Sequence, residues 1–150
     1  MFEFYDPGRL IDGELELVLD EKDEANIALG LSPQYRFKMK RTDTGEFAGG
    51  INLRVSNQPV IVMYAGHIGY GVSAEHRGHH FAARACRLLL PLARLHDLNP
   101  LWITCNPDNY ASRRTCELAG ATLIEIVDLP PDNDMYLRGE RQKCRYRIDL

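Results

Sequence analysis

The length and composition of the chain are those of one ordinary soluble domain. Its 150 residues are 45% hydrophobic and 26% charged, which argues against both a disordered chain and a membrane protein. The net charge of -3 argues against a general nucleic-acid-binding protein. We therefore expect one domain, 1–150, with a single core and with neither nucleic acid nor a membrane as a partner.

The cysteines and the N-terminal segment indicate the compartment. No two cysteines have the two-residue spacing of zinc ribbons or redox motifs. Asp6, Pro7 and Gly8 interrupt the segment where a signal peptide needs a continuous apolar run. We therefore expect a cytoplasmic protein with reduced thiols. The cysteines are Cys86, Cys105, Cys116 and Cys144.

The first half of the chain reads mainly as strands. Apolar residues alternate over 15–19, which predicts a strand, and the charged run 20–24 after it is expected to cap one short helix. Alternation over 35–40 and 47–55, on either side of a Gly-containing turn, predicts an antiparallel hairpin. The apolar segment 60–72 is predicted as a further strand, and its glycines mark places where a ligand can approach.

The second half mixes helices with strands. Apolar residues recur at helical spacing from Phe81 to Leu95, with Pro91 inside the predicted helix. A short strand is predicted at 101–105, and a second helix follows, capped by Asp108 or Asn109 and ended by Gly120. Strands are predicted at 122–127 and 144–150. This order gives a mixed α/β fold in which helices pack on the faces of a sheet.

The turn before the first long helix has the properties of an anion site. It leads directly from the predicted strand ending at Ser73 into the helix starting near Phe81. The first turn of a helix carries unpaired amide hydrogens and a partial positive charge, which suit a diphosphate. Gly78 in this turn lets a ligand approach the backbone.

The residues of this turn resemble a motif of the GNAT superfamily of acyl-CoA-dependent N-acetyltransferases. That family has Gln/Arg-x-x-Gly-x-Gly/Ala here, and this chain reads Arg77-Gly78-His79-His80-Phe81-Ala82. The arginine, the adjacent glycine and the final small residue match, whereas His80 stands where the family usually has glycine. The resemblance implies that these six residues bind the diphosphate of CoA.

Two further segments extend the resemblance. Residues 68–72 are similar to the family's fourth strand, which implies that Tyr70 and Val72 contact the pantetheine arm. Residues 109–121 are similar to the family's Asn-x-x-Ser/Ala helix and its Glu-x-x-Gly ending, which implies that Asn109 and Ser112 contact the same arm. The match begins near His67, and the first 60 residues agree only in their strand pattern.

The resemblance also implies a fold and a reaction. The fold has three layers, with a mostly antiparallel sheet, one splayed parallel strand pair and helices on both faces. The reaction moves an acetyl group from acetyl-CoA to a primary amine by direct attack in a ternary complex, without a metal. The acceptor is a small-molecule amine or a protein amine, and a homodimer stays open. The alternative is a non-catalytic acyl-CoA sensor or interaction module, and a metal-dependent hydrolase ranks below both.

Three residues are candidates for acid–base catalysis, and each has a structural alternative. Cys116 stands where the family often has a catalytic tyrosine, and an unperturbed thiol with a pKa of ~8.5 can protonate a departing thiolate. Its position on a helix with apolar neighbours favours a small buried residue over a catalytic thiol. His67, with an unperturbed pKa of ~6.5, is a candidate base or a hydrogen-bonded structural histidine. Tyr136 is a candidate acid in a loop or a packing contact.

Overall fold

Eight strands form two antiparallel sheets that lie next to each other at strands β5 and β6. The computed structural model describes residues 2–150. The first sheet has the order β1-β2-β3-β4-β5 and the second has the order β6-β8-β7. The elements are β1 (Leu10–Asp12), β2 (Leu15–Asp23), β3 (Gln34–Arg41), β4 (Phe47–Arg54), β5 (Ile68–Val72), α1 (Phe81–Leu95), β6 (Leu101–Cys105), α2 (Tyr110–Leu118), β7 (Thr122–Asp128), α3 (Asp134–Leu137) and β8 (Gln142–Ile148).

The hydrophobic core is one cluster shared by both sheets and α1. Alternate residues of β3 point into it, so that Tyr35, Phe37 and Met39 are buried while the residues between them are not. Leu89 of α1 and Ile103 of β6 belong to the same cluster. Burial of this apolar surface is the main force that holds the two sheets and the helix together. Within residues 2–150, no helix combines the length and apolar character needed to cross a membrane.

Most predicted elements are confirmed, including the hairpin β3–β4 and both long helices. Pro91 lies inside α1. Asn109 caps α2, since its side chain accepts a hydrogen bond from the Ser112 amide, and Gly120 follows the helix at a φ of 95°. Strand β1 and the short helix α3 were not predicted.

The predicted strand over 60–72 is wrong in its first half. Ile61–Ala65 forms a π-helical turn, and β5 begins only at Ile68. Gly66 explains the break, because its φ is 76° and a Cβ there would lie 3.0 Å from the Thr104 amide nitrogen. The backbone therefore turns close against β6 at this glycine, and a regular strand cannot continue through it.

The charged run after β2 also differs from the prediction. It continues the strand to Asp23, because Glu21 and Asp23 both pair with Arg36 on the neighbouring strand β3. The expected helix is reduced to one three-residue 3-10 turn, Ile27–Leu29, capped by Asn26. Cross-strand ion pairing thus outweighed the helix-capping tendency of acidic residues.

Arg84 fastens the start of α1 to the β1–β2 turn. Its Nε donates to Asp12 Oδ2 at 2.9 Å and its Nη1 donates to Glu14 Oε1 at 3.0 Å. The same Nη1 donates to the His79 carbonyl at 3.2 Å. These bonds lower the pKa of Glu14 to about 2, chiefly through the hydrogen bond from Arg84. The guanidinium therefore fixes the turn that precedes the helix.

Replacing this guanidinium is expected to loosen the N-terminal turn of α1. Arg84→Met should lower the midpoint of thermal unfolding by about 2–4 °C. Arg87→Met, on an exposed position of the same helix, is the matched control and should leave the midpoint unchanged. Because the pKa of Glu14 is lowered, the difference in unfolding midpoint between wild type and Arg84→Met is largest above pH 4.5. It is lost as pH falls from 4.5 through 2. Equal midpoints for both variants at pH 7 would contradict the role of Arg84.

Candidate functional site

A cavity of about 810 Å³ lies between β5 and β6. The segment entering β5 is joined to β6 by one backbone hydrogen bond, from the His67 amide to the Trp102 carbonyl at 2.7 Å. Beyond this join the two strands belong to different sheets and make no ladder with each other. Residues along β5 and at the end of β6 line the gap. The cavity therefore arises where two neighbouring strands, which both run away from the join, diverge.

The N-terminus of α1 closes one end of this cavity. No side chain of residues 2–150 caps the helix, so its first amides have no intramolecular acceptor. Gly78 in the preceding turn has a φ of 94°, and a Cβ there would meet no atom within 4 Å. The helix therefore presents free amide hydrogens and the positive end of its dipole behind an open turn.

His80 takes the backbone conformation that a glycine would take. Its φ of 58° and ψ of 30° lie in the left-handed region, which costs a non-glycine residue about 1 kcal/mol or more. Histidine is among the residues that tolerate this region best. The turn therefore keeps the path that the family achieves with glycine, and the imidazole is added to the cavity wall.

Positive charge predominates around the cavity. Glu140 is the one carboxylate in its lining, as far as residues 2–150 show, and it pairs with Lys143 at 2.7 Å. The Nε of Arg77 donates to the Val72 carbonyl at 3.2 Å, which holds this guanidinium at the end of β5. Such a lining attracts an anionic ligand. The cationic lining residues are Arg54, Arg77, Arg114, Arg138 and Lys143.

The opposite wall carries a pair of hydroxyl groups. Tyr70 of β5 reaches across to α2, where its hydroxyl lies 2.5 Å from Ser112 Oγ. Asn109 fixes Ser112 in turn, because its Oδ1 accepts a hydrogen bond from the Ser112 amide at 3.1 Å. Burial raises the pKa of Tyr70 well above its usual value, so both hydroxyls keep their protons at neutral pH. The wall thus offers two protonated groups to a ligand in the gap.

The structure brings nearly all of the predicted CoA contacts together around one cavity. The exception is His79, which does not line it. Its ring stacks on that of Phe81 with centroids 5.1 Å apart, and its carbonyl accepts from Arg84. The predicted contacts that line the cavity are Tyr70, Val72, Arg77, Gly78, His80, Phe81, Ala82, Asn109 and Ser112.

His67 lies at the join between the sheets and not in the cavity lining. It is completely buried, its Nδ1 accepts from the Trp102 amide at 2.9 Å, and its Nε2 lies 3.0 Å from Asn57 Oδ1. Protonation at Nδ1 would break the bond to Trp102. Burial lowers the pKa of His67 to about 4. The geometry therefore favours the structural interpretation over the base.

The two predicted acids also lie away from the cavity lining. Cys116 is fully buried, and the neighbouring Cys105 together with burial raises the pKa of its thiol far above the ordinary value. Tyr136 lies on α3, where the Arg141 guanidinium is 3.9 Å from its ring centroid. Both positions match the packing alternatives given above.

Several cavity residues were not identified from the sequence. Cys105 and Asn106 lie at the end of β6, and Arg54 ends β4. The ends of strands beside a crevice are common ligand positions, so the end of β6 was a usable signal. Arg54 carried none, because only the tertiary structure brings the end of β4 beside the start of β5.

The buried neutral His67 makes stability depend on pH. The pKa of His67 in the folded protein, about 4, is below the ordinary 6.5. The contribution of His67 to the free energy of unfolding is therefore fully present above pH 6.5 and is lost as pH falls through 4. We expect the free energy of unfolding of wild type to drop by about 3 kcal/mol over this interval from His67 alone. Measured by urea unfolding, His67→Gln should be less stable than wild type at pH 7, and the gap should narrow toward pH 4. Parallel pH curves would contradict this role.

The model of the acetyltransferase (GNAT) domain matches residues 10–122, which is about three quarters of the chain. No match was found among curated proteins. The solved structures described next are each below 25% identity to this chain, and they show a shared fold.

Three solved structures illustrate that fold. The RimL ribosomal L7/L12 α-N-protein acetyltransferase in complex with coenzyme A has a TM-score of 0.68 and 15% identity, over 95% of this chain and 98% of that one. The ribosomal-protein-S5-alanine acetyltransferase from Vibrio fischeri has a TM-score of 0.60 and 16% identity, over 77% and 61%. The microcin C7 self immunity acetyltransferase MccE, in complex with acetyl-CoA and AMP, has a TM-score of 0.62 and 17% identity, over 78% and 61%. The chain thus spans about three fifths of the last two.

Proposed function

The chain belongs to the acetyltransferase (GNAT) family, and from that membership we propose that it transfers the acetyl group of acetyl-CoA to a primary amine by direct attack in a ternary complex. The observation that carries the proposal is the cation-lined cavity with an uncapped helix N-terminus at one end. The single-domain organisation and the cytoplasmic location stay predictions, and so does a homodimer.

The cavity residues fit the shape and charge of CoA. The free amides at the start of α1, the open turn at Gly78 and the guanidinium of Arg77 would hold the diphosphate. Strand β5 is the last strand of its sheet, so backbone groups on its β6 side are free to pair with the amides of the pantetheine arm. Val72 and Tyr70 lie along that edge. In the RimL structure, CoA is joined by a disulfide to a cysteine of that protein. This chain also has a cysteine, Cys105, in the lining of the cavity that we assign to CoA.

The hydroxyl pair of Tyr70 and Ser112 is the best-placed hydrogen-bond donor for the leaving sulfur. Acetyl-CoA supplies a thioester whose sulfur leaves as a thiolate. One hydroxyl of the pair donates to the other, and both residues line the cavity. Because burial raises the pKa of Tyr70, the pair is protonated over the whole physiological range. We assign stabilisation of the thiolate by hydrogen bonding to this pair rather than to Cys116 or Tyr136, which do not line the cavity.

Neither Glu140 nor His67 is well placed to act as a base. Glu140 is held by Lys143 and its pKa is lowered, and both nitrogens of His67 are engaged. The cationic lining disfavours an ammonium ion and favours the neutral amine. The acceptor therefore enters uncharged, and its proton passes to water after attack. Holding the two reactants together supplies much of the acceleration.

The names of two structural neighbours favour a particular acceptor within the amine class. RimL is an α-N-protein acetyltransferase and the Vibrio fischeri protein is a ribosomal-protein-S5-alanine acetyltransferase. These names support an α-amino group as the acceptor of this chain. The rival function is an acyl-CoA sensor without turnover. Incubation with acetyl-CoA and a panel of amines separates the two, because an enzyme releases free CoA with at least one amine and a sensor binds saturably without release.

The role of Arg77 gives a direct test of how the donor is bound. In calorimetric titrations, Arg77→Met should weaken CoA binding by about tenfold, since a charge-assisted hydrogen bond to the diphosphate is lost. Pantetheine, which has no diphosphate, should bind the variant and wild type equally. Arg87→Met is the control for loss of one surface charge and should leave both affinities unchanged. If Arg77→Met lost affinity for CoA and for pantetheine by the same factor, Arg77 would not bind the diphosphate.

A further inference from the structure

Arg54 is a half-buried cation in the cavity wall that has no anionic partner. Its Nη1 donates to the carbonyls of Ala65 and Gly66 at 3.3 and 3.0 Å. Within residues 2–150, no carboxylate lies within 4 Å of its guanidinium. A buried charge is costly unless an opposite charge accompanies it. An anionic ligand would complete this site.

The position of Arg54 separates it from the diphosphate end of the cavity. A Cβ on Gly69 would lie 3.0 Å from Arg54 Nη2, so the guanidinium rests on the first part of β5. The turn that receives the diphosphate follows Val72, at the other end of the strand. Three residues of strand separate the two places by about 10 Å, and the pantetheine arm occupies that interval. The anion for Arg54 must therefore belong to the acceptor.

Carboxylates of the protein do not fill this role. Glu140, which lines the cavity, is bound by Lys143 at 2.7 Å. Asp23, on the same outer face of the sheet, pairs with Arg36 at 2.8 Å and accepts a hydrogen bond from Gln34. Both anions are thus committed to other cations.

A chain of amides places a hydrogen-bond acceptor beside Arg54. Gln34 Nε2 donates to the Asp23 carboxylate at 2.9 Å, so Gln34 Oε1 must face Asn52. Asn52 Nδ2 donates to that oxygen at 2.8 Å. The remaining oxygen, Asn52 Oδ1, is thereby turned toward β5, where it would lie 2.7 Å from a Cβ on Gly69. An N–H acceptor and a guanidinium thus meet over the same glycine.

We propose that the amine acceptor carries a carboxylate close to its amino group, and that Arg54 binds this carboxylate. The inference rests on the proposed function and adds the chemical class of the acceptor. The carboxylate belongs either to a free amino acid or to an acidic side chain near the N-terminus of a peptide. Both sources offer a carboxylate to Arg54.

Matched acceptors test the inference on the wild-type protein. Two dipeptide amides that differ only in Glu or Gln at the second position form one pair, and a free amino acid with its carboxamide forms the other. At a pH where each amine is equally deprotonated, the carboxylate member of one pair should have a KM lower by about tenfold or more. The pair that shows the preference identifies the source of the carboxylate. Equal KM values within both pairs would overturn the inference.

Variants at Arg54 show whether the preference comes from this side chain. Arg54→Met should reduce the KM ratio within the preferred pair to about one, and Arg54→Lys should keep part of it, since both charges attract a carboxylate but only arginine binds it by two hydrogen bonds. Lys38→Met, an exposed residue on the outer face of β3, should keep the full ratio. A fall in kcat that is equal for carboxylate and neutral acceptors, with the KM ratio retained, would overturn the inference.

Binding of acetyl-CoA separates this inference from the proposed function. Saturable binding of acetyl-CoA by Arg54→Met shows that the variant is folded. A protein that binds acetyl-CoA and acetylates amines without regard to a carboxylate contradicts only the role of Arg54. A protein that releases no CoA with any amine contradicts the proposed function itself.

Discussion

The His67 amide donates to the Trp102 carbonyl, and the Trp102 amide donates back to the His67 ring. Within residues 2–150, the first of these is the one backbone–backbone hydrogen bond between the two sheets. It fixes the starts of β5 and β6 side by side and leaves their remaining lengths unpaired. The cavity, the free edge of β5 and the access to α1 all depend on this geometry, because a continuous ladder between the strands would close the gap.

The same arrangement explains why a buried histidine is needed at this point. A neutral imidazole can accept at one nitrogen and donate at the other, which suits the Trp102 amide on one side and Asn57 on the other. The low pKa that burial imposes keeps that pattern at physiological pH. Chemistry is thereby left to groups that line the gap, the hydroxyl pair on one wall and the cations around it. The join positions the cavity, and in the proposed reaction it takes no part.

Local patterns in the sequence identified the parts of the site that are contiguous in the chain. The turn at Gly78 and the cap at Asn109 could be located because helix starts have recognisable chemistry, and residues near them line one cavity. The diversion of 61–65 into a π-helical turn was missed, since it depends on how closely Gly66 approaches β6. Apolar composition alone does not distinguish a strand from a short helical turn.

The roles of single side chains were harder to predict than the backbone. Cys116 and His67 have reactive groups at positions close to a motif, but burial and hydrogen bonds in the fold take both away from the cavity. Arg54, by contrast, lies in no motif, and only the three-dimensional structure shows that it has no anionic partner within residues 2–150. The end of β2 was also missed, because ion pairs between neighbouring strands, such as that of Asp23 with Arg36, extend the strand beyond its predicted end.

The central claim is that the first amides of α1 bind a diphosphate, and amide chemical shifts measure it most directly. In ¹H–¹⁵N spectra of the labelled protein, CoA should shift the amide signals of Gly78 to Ala82 and those along β5. Pantetheine should shift the signals along β5 while leaving the first group in place. If CoA leaves the amides of Gly78 to Ala82 unshifted at saturation, the helix N-terminus is not the phosphate site and the account fails.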